Sequence, residues 1–78
     1  MRTVIVKVGG REEAGALTAR QIDTLALVSL GLRNAEIAAR LGLTVPTVKS
    51  YLCEAMARLH ATTRQAAVVE ARRRGLLP

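Results

Sequence analysis

From Leu17 onward the chain is broken at short intervals by paired signals, a hydroxyl or amide residue that starts a helix and a glycine that ends one. Thr18 followed by Gln21 reads as a capping box ahead of a helix over about residues 19–30, with Ile22, Leu25 and Val28 on one face and Gly31 behind it. Asn34 is the expected cap of a shorter helix that reaches Leu41, with Ile37 and Leu41 one turn apart and Gly42 in the turn. Thr44 caps a third helix from about Val45, and Pro46 is tolerated in its first turn because the N–H it lacks would be unpaired there. Val48, Leu52, Ala55 and Leu59 form the apolar stripe of that helix. Thr62 or Thr63 then caps a last helix that runs through Ala67, Val68 and Ala71 to Arg74 and stops at Gly75. The predicted class is all-α, a four-helix domain over residues 17–78 with connections too short to leave room for a catalytic cleft.

Residues 1–16 read differently. "RTVIVKV", residues 2–8, alternates and is rich in β-branched side chains, which describes a short strand ended by Gly9-Gly10. Nothing later in the chain resembles a partner strand. The segment is therefore expected either to pair with its copy in a second subunit or to remain a disordered tail, and "REEAG", residues 11–15, is a charged linker.

Composition narrows the partner. The 78 residues include no Phe or Trp and only one aromatic, Tyr51, so the core has to be Leu, Val, Ile, Ala and Met. A chain this short buries only roughly 60% of its unfolded surface, and a second subunit would add to its stability. Twelve Lys and Arg against six Asp and Glu give a net charge of +6, which favours a polyanionic partner such as nucleic acid or an anionic membrane surface. No apolar run approaches the roughly 20 residues that span a bilayer, and "TVIVKV" is too short and too alternating for a secretory signal, so a cytoplasmic location is expected. Cys53 has no second cysteine to pair with, and with His60 alone it makes no zinc site; neither metal nor cofactor is expected.

A short helix, a turn holding Gly and a longer helix make the helix-turn-helix arrangement, and Ala38, Gly42 and Val48 are small or β-branched where the two helices are expected to approach closely. The residues are more specific than the pattern. "LTARQIDTLALVSLGLRNAEIAARLGLTVPTVKSYLCEAMARL", with "RQAAVVEARRRGLL" after it, resembles the LuxR-type (GerE-like) DNA-binding domain from Leu17 to Leu77. Thr18 and Arg20 match the start of that domain's first helix, Gly31 to Ala38 match its "GLSNKEIA", Thr47-Val48-Lys49 its "TVK" and Gly75-Leu76-Leu77 its closing "GLL". The resemblance implies a four-helix domain whose third helix reads the major groove and whose fourth forms a dimer contact. Gln21 and Asp23 stand where the family has an acidic pair, Ala35 where it has Lys, and Tyr51 where His is common. Most family members carry a receiver or ligand-binding domain upstream, whereas only sixteen residues precede the match here, so a stand-alone regulator controlled by another protein is expected. Region 4 of sigma factors shares part of the pattern, but the last helix and "GLL" favour the LuxR type.

With the third helix as the reading helix, Lys49 is the candidate for base or phosphate contact, one turn in from the helix start. Ser50 and Cys53 share its outward face, Thr47 offers a hydroxyl to a phosphate, and Val45, Pro46 and Ala57 complete the surroundings of that single cation. The helix start at Thr18 is expected to grip the DNA backbone through N–H groups. Arg20, Arg33, Arg40, Arg58 and Arg64 supply a sequence-independent electrostatic footprint, while Arg72 to Arg74 offset the end of the last helix dipole. Val68 and Val69 cannot both face one core, and together with Arg72 they are the candidates for contact with a second subunit. The expected function is a transcription regulator that binds double-stranded DNA as a homodimer and performs no catalysis. The competing expectation is an interaction protein that pairs with a related full-length regulator and removes it from DNA.

Overall fold

The computed structural model describes residues 17–78, and among them four helices: α1 (Ala19–Ser29), α2 (Asn34–Leu41), α3 (Val45–Arg58) and α4 (Arg64–Arg73). The strand expected over residues 2–8 and the linker over 11–15 lie outside the described residues.

Helix starts are closed by local bonds. Thr18 Oγ1 accepts the Gln21 N–H at 3.1 Å and Gln21 Oε1 accepts the Thr18 N–H at 3.0 Å, a complete capping box. Thr44 Oγ1 accepts from the Thr47 N–H at 3.3 Å, and Thr63, rather than Thr62, caps α4 by accepting from the Ala66 N–H at 3.0 Å. The start of α2 departs from expectation. Arg33, with extended backbone, is the cap residue and Asn34 is already helical; the Arg33 N–H donates to Glu36 Oε1 at 2.7 Å, so the carboxylate three residues on supplies the acceptor. Asn34 Oδ1 is thereby released to accept a hydrogen bond from Arg64 Nη2 across the domain.

Helix ends share one closure, a backbone N–H bonded to the carbonyl five residues earlier. Leu32 reaches Leu27 at 3.3 Å, Leu43 reaches Ala38 at 2.8 Å, Ala61 reaches Met56 at 2.9 Å and Leu76 reaches Ala71 at 2.8 Å. The residue before each donor is left-handed: Gly31, Gly42 and Gly75 at three ends, and His60 with φ 56° at the fourth. Sequence reading found the three glycines and had no signal for the histidine. Gly42 also needs a correction of its role. A β-carbon added there would meet nothing within 4 Å, so the position demands its φ of +70° and not a close helix approach.

α1 and α3 each pack against all three other helices. Between them lie Leu25, Ile37, Val48 and Ala55, all without exposed surface, joined by Leu52, Leu59 and Leu77. Ala67 and Ala71 bring α4 in without a side chain in the way, and Val68 is buried beside them at 6% exposure while Val69 is 63% exposed. Of the two valines, Val68 is thus the one that faces the core and Val69 the one that faces outward. Two polar side chains are also buried: Thr24, whose hydroxyl donates to the Arg20 carbonyl at 2.8 Å, and Gln21. Among the described residues no helix is long and apolar enough to cross a membrane.

Near the end of α4, Glu70 accepts from Arg73 Nε at 3.0 Å and from Arg74 Nε at 2.7 Å. Arg73 Nη2 donates to Glu70 as well, and the hydrogen bonds from Arg73 first and Arg74 second lower the Glu70 pKa from an ordinary 4.5 to about 2. A carboxylate so lowered stabilises the fold fully above its unfolded value and loses that contribution as the pH falls. The support to α4 should therefore be intact above about pH 4.5 and gone near pH 2, and Glu70→Gln should remove that part of the acid transition measured by circular dichroism. Coincident acid profiles for the two proteins would show that the cluster contributes nothing. At the end of α3, His60→Gly should raise stability by about 0.5–1 kcal/mol, the left-handed penalty removed less the extra freedom of an unfolded glycine. A urea midpoint equal to or below that of the parent chain would contradict this.

Candidate nucleic-acid interface

The turn between α2 and α3 is three residues, Gly42, Leu43 and Thr44. Both the Gly42 and the Leu43 N–H groups donate to the Ala38 carbonyl, which fixes the direction in which the chain leaves α2. Thr44 then restarts the helix, and Pro46 in its first turn holds φ near the helical value. The inward stripe of α3 is sealed, with Val48 and Ala55 at zero exposure. Its outward face is consequently fixed in rotation, and Pro46, Lys49, Ser50, Cys53, Glu54 and Ala57 are exposed on it.

The structure brings Pro46, Lys49, Ser50 and Cys53 together as the sequence predicts. Val45 and Thr47 are half-buried at the helix start. The Thr47 hydroxyl is 2.9 Å from that of Thr44, and since one such contact uses one proton, the pair retains one hydroxyl hydrogen for an outside acceptor. Few backbone donors remain there: Pro46 has no N–H and that of Thr47 is taken by Thr44, which leaves those of Thr44 and Val45. Thr18 sits elsewhere. Its N–H is occupied by Gln21, so the first-turn donors free at the start of α1 belong to Ala19 and Arg20.

Glu54 is the residue that sequence reasoning missed. Gln21 Nε2 donates to Glu54 Oε1 at 2.9 Å, which ties the first turn of α1 to the outward face of α3. The signal was available, because Glu54 lies one turn beyond Ser50 on the same face; an acidic side chain simply does not suggest a polyanionic partner. Lys49 and Glu54 are five residues apart, and at about 100° per residue they stand roughly 140° apart around the helix axis. The face thus has a cationic edge and an acidic edge. On the cationic side a shallow groove runs past Lys49 and Cys53 to Asn34, Met56, Thr63 and Arg64.

Five of the other cations fall into two groups. Arg20 lies 3.6 Å from Asp23 and Arg33 lies 4.0 Å from Glu36, both pairs exposed and each contributing at most about 1 kcal/mol. Arg73 and Arg74 are held by Glu70, and Arg72 Nε donates to the Pro78 carbonyl at 3.0 Å. Among the described residues, Lys49 and Arg40 have no carboxylate within salt-bridge distance.

Two helices joined by a three-residue turn, the second exposing one face while its other face is buried against the first and a supporting helix, define a helix-turn-helix domain. The family model for bacterial regulatory proteins of the luxR family, GerE, matches residues 15–71, and the chain belongs to that family. The HTH-type transcriptional activator RamA of Corynebacterium glutamicum is 52% identical over 62 residues, 80% of this chain and 22% of RamA. The HTH-type transcriptional regulator AlkS of Alcanivorax borkumensis is 49% identical over 61 residues, 78% of this chain and 7% of AlkS. The chain therefore spans less than a quarter of the length of either relative. The solved structure of the transcription factor GerE covers 80% of this chain and 92% of its own with a TM-score of 0.76 at 24% identity, a likeness of fold.

Proposed function

We propose that this domain is a transcription regulator that binds double-stranded DNA as a homodimer in the cytoplasm, acting by binding and not by catalysis. The observation that carries the reading is the outward face of α3, rotationally fixed by its buried stripe and presenting Lys49 with no carboxylate partner among the described residues. In this reading α3 lies in the major groove, Lys49 contacts base edges or phosphates, Ser50 and Cys53 face the bases, and Val45 and Pro46 stand at the groove edge. The hydroxyl hydrogen left to Thr44 and Thr47, together with the Val45 N–H, addresses one phosphate. At the start of α1 the free N–H groups of Ala19 and Arg20, with the Thr18 hydroxyl, address another. Self-association would use Val69 and Arg72, both exposed on α4.

A second reading is supported by the small number of donors on that face. Val45, Pro46, Cys53 and Ala57 donate nothing strong from their side chains, and Glu54 is acidic. On this reading the chain pairs through α4 with another LuxR-type regulator and withdraws it from DNA. Titration of the purified chain against random and selected duplexes at two salt concentrations separates the two, because sequence-independent charge attraction falls steeply with salt.

Lys49→Ala should lower affinity for a selected site by about 1–3 kcal/mol with an unchanged melting temperature, since an exposed helix position accepts Ala and a good base contact has that magnitude. Unaltered binding would reduce Lys49 to a solvated charge. Val69→Asp should weaken self-association in sedimentation while leaving the helical content intact, because the side chain is 63% exposed and outside the core. An unchanged dimer constant would place the subunit contact away from α4.

A further inference from the structure

We infer that Glu54 sets the base preference at one position of the bound duplex by accepting the exocyclic amine of a cytosine, and that Gln21 positions it. The inference rests on the DNA-binding reading given above. Gln21 belongs to α1 and is 2% exposed, so its amide touches no duplex directly. Its Oε1 accepts the Thr18 N–H at 3.0 Å, and that bond dictates the orientation of the amide, because the flipped form would set two donors against each other. Nε2 must then face α3, where Glu54 Oε1 receives it at 2.9 Å across 33 residues of sequence. A buried amide N–H needs an acceptor, and this one has found it on the outward face of the reading helix.

The result is a carboxylate restrained at one edge of that face. An ionised carboxylate only accepts, with about four lone-pair sites, and Gln21 uses one of them. Ser50 four residues earlier and Ala57 three residues later are small and exposed, so neither crowds an approaching base edge, and Arg58, four residues later, is half-buried. Among major-groove groups the N4 amine of cytosine is the donor a carboxylate takes, whereas adenine sets its N7 acceptor beside its amine. The same charge opposes phosphates, which penalises registers that bring the acidic edge of α3 onto the backbone. The Lys49 edge attracts what the Glu54 edge rejects, and the helix is thereby oriented in the groove.

Selection from a randomised duplex pool with the full chain, Glu54→Ala and Glu54→Gln tests this. The parent chain should show a cytosine preference that Glu54→Ala reduces about tenfold at one base pair with other positions unchanged, while the stranded Gln21 amide lowers its melting temperature. Glu54→Gln keeps an acceptor for Gln21 and adds a donor, so the same position should shift from cytosine towards adenine. Gln21→Met also removes the Thr18 capping bond, so it should blur that position on top of any uniform change in affinity, and a uniform change without blurring would show that Gln21 acts only on the fold. If both Glu54 variants instead bind every sequence more tightly by one common factor, the carboxylate merely repels the backbone and the inference fails while the DNA-binding reading stands. A parent chain that binds no duplex would overturn that reading, and the inference with it.

Discussion

Val48 and Lys49 are neighbours in sequence, yet one has no exposed surface and the other faces solvent, and this division along α3 governs the rest of the molecule. Burial of Val48, Leu52, Ala55 and Leu59 removes the freedom of α3 to rotate about its axis, because any turn of the helix would carry apolar surface into water at about 25 cal/mol per Å². α1 supports it from behind, and α4 is drawn in through Ala67 and Ala71, whose missing side-chain bulk lets the backbones come close. A core without a Phe or Trp achieves rigidity through this closeness and not through large interlocking rings.

Starts and stops of the helices were legible in the sequence where the relevant atom belongs to a residue with a strong local habit. Thr18, Thr44 and Gly42 act alone or with a residue three places away, and periodicity placed the inner stripe of α3 without ambiguity. What stayed hidden depends on choices between neighbours or on distant partners. Asn34 and Arg33 compete for the cap of α2, and the decision falls to Glu36 in front and Arg64 across the domain, which no local pattern states. His60 is left-handed because the closure of α3 requires that backbone and the sequence offers no glycine there. Val68 and Val69 could be ordered only once the axis of α4 relative to α1 was known. Family resemblance supplied the candidate face, but it drew attention to cations and passed over Glu54, whose place is set by a glutamine on another helix.

Capping also decides how much of each helix terminus is available to a partner. α1 and α3 both begin on the surface with their dipoles pointing positive end outward, yet internal bonds and one proline consume several of the donors such ends normally offer. An anion approaching either end meets two or three N–H and hydroxyl hydrogens in fixed places. That converts a diffuse attraction into a contact with defined geometry.

The bond between Gln21 and Glu54 has a consequence for how such a domain changes over time. Residues that face outward are ordinarily free to vary one by one, since altering them disturbs nothing beneath. Position 54 is an exception: replacing its carboxylate with an apolar group strands a buried amide on a neighbouring helix, at a cost of about 1–3 kcal/mol. Drift at 54 is therefore tied to drift at 21. A lineage changing the side chain there has to cross a less stable intermediate or change both positions together, so the two should vary as a pair among relatives while Ser50 and Cys53 wander independently.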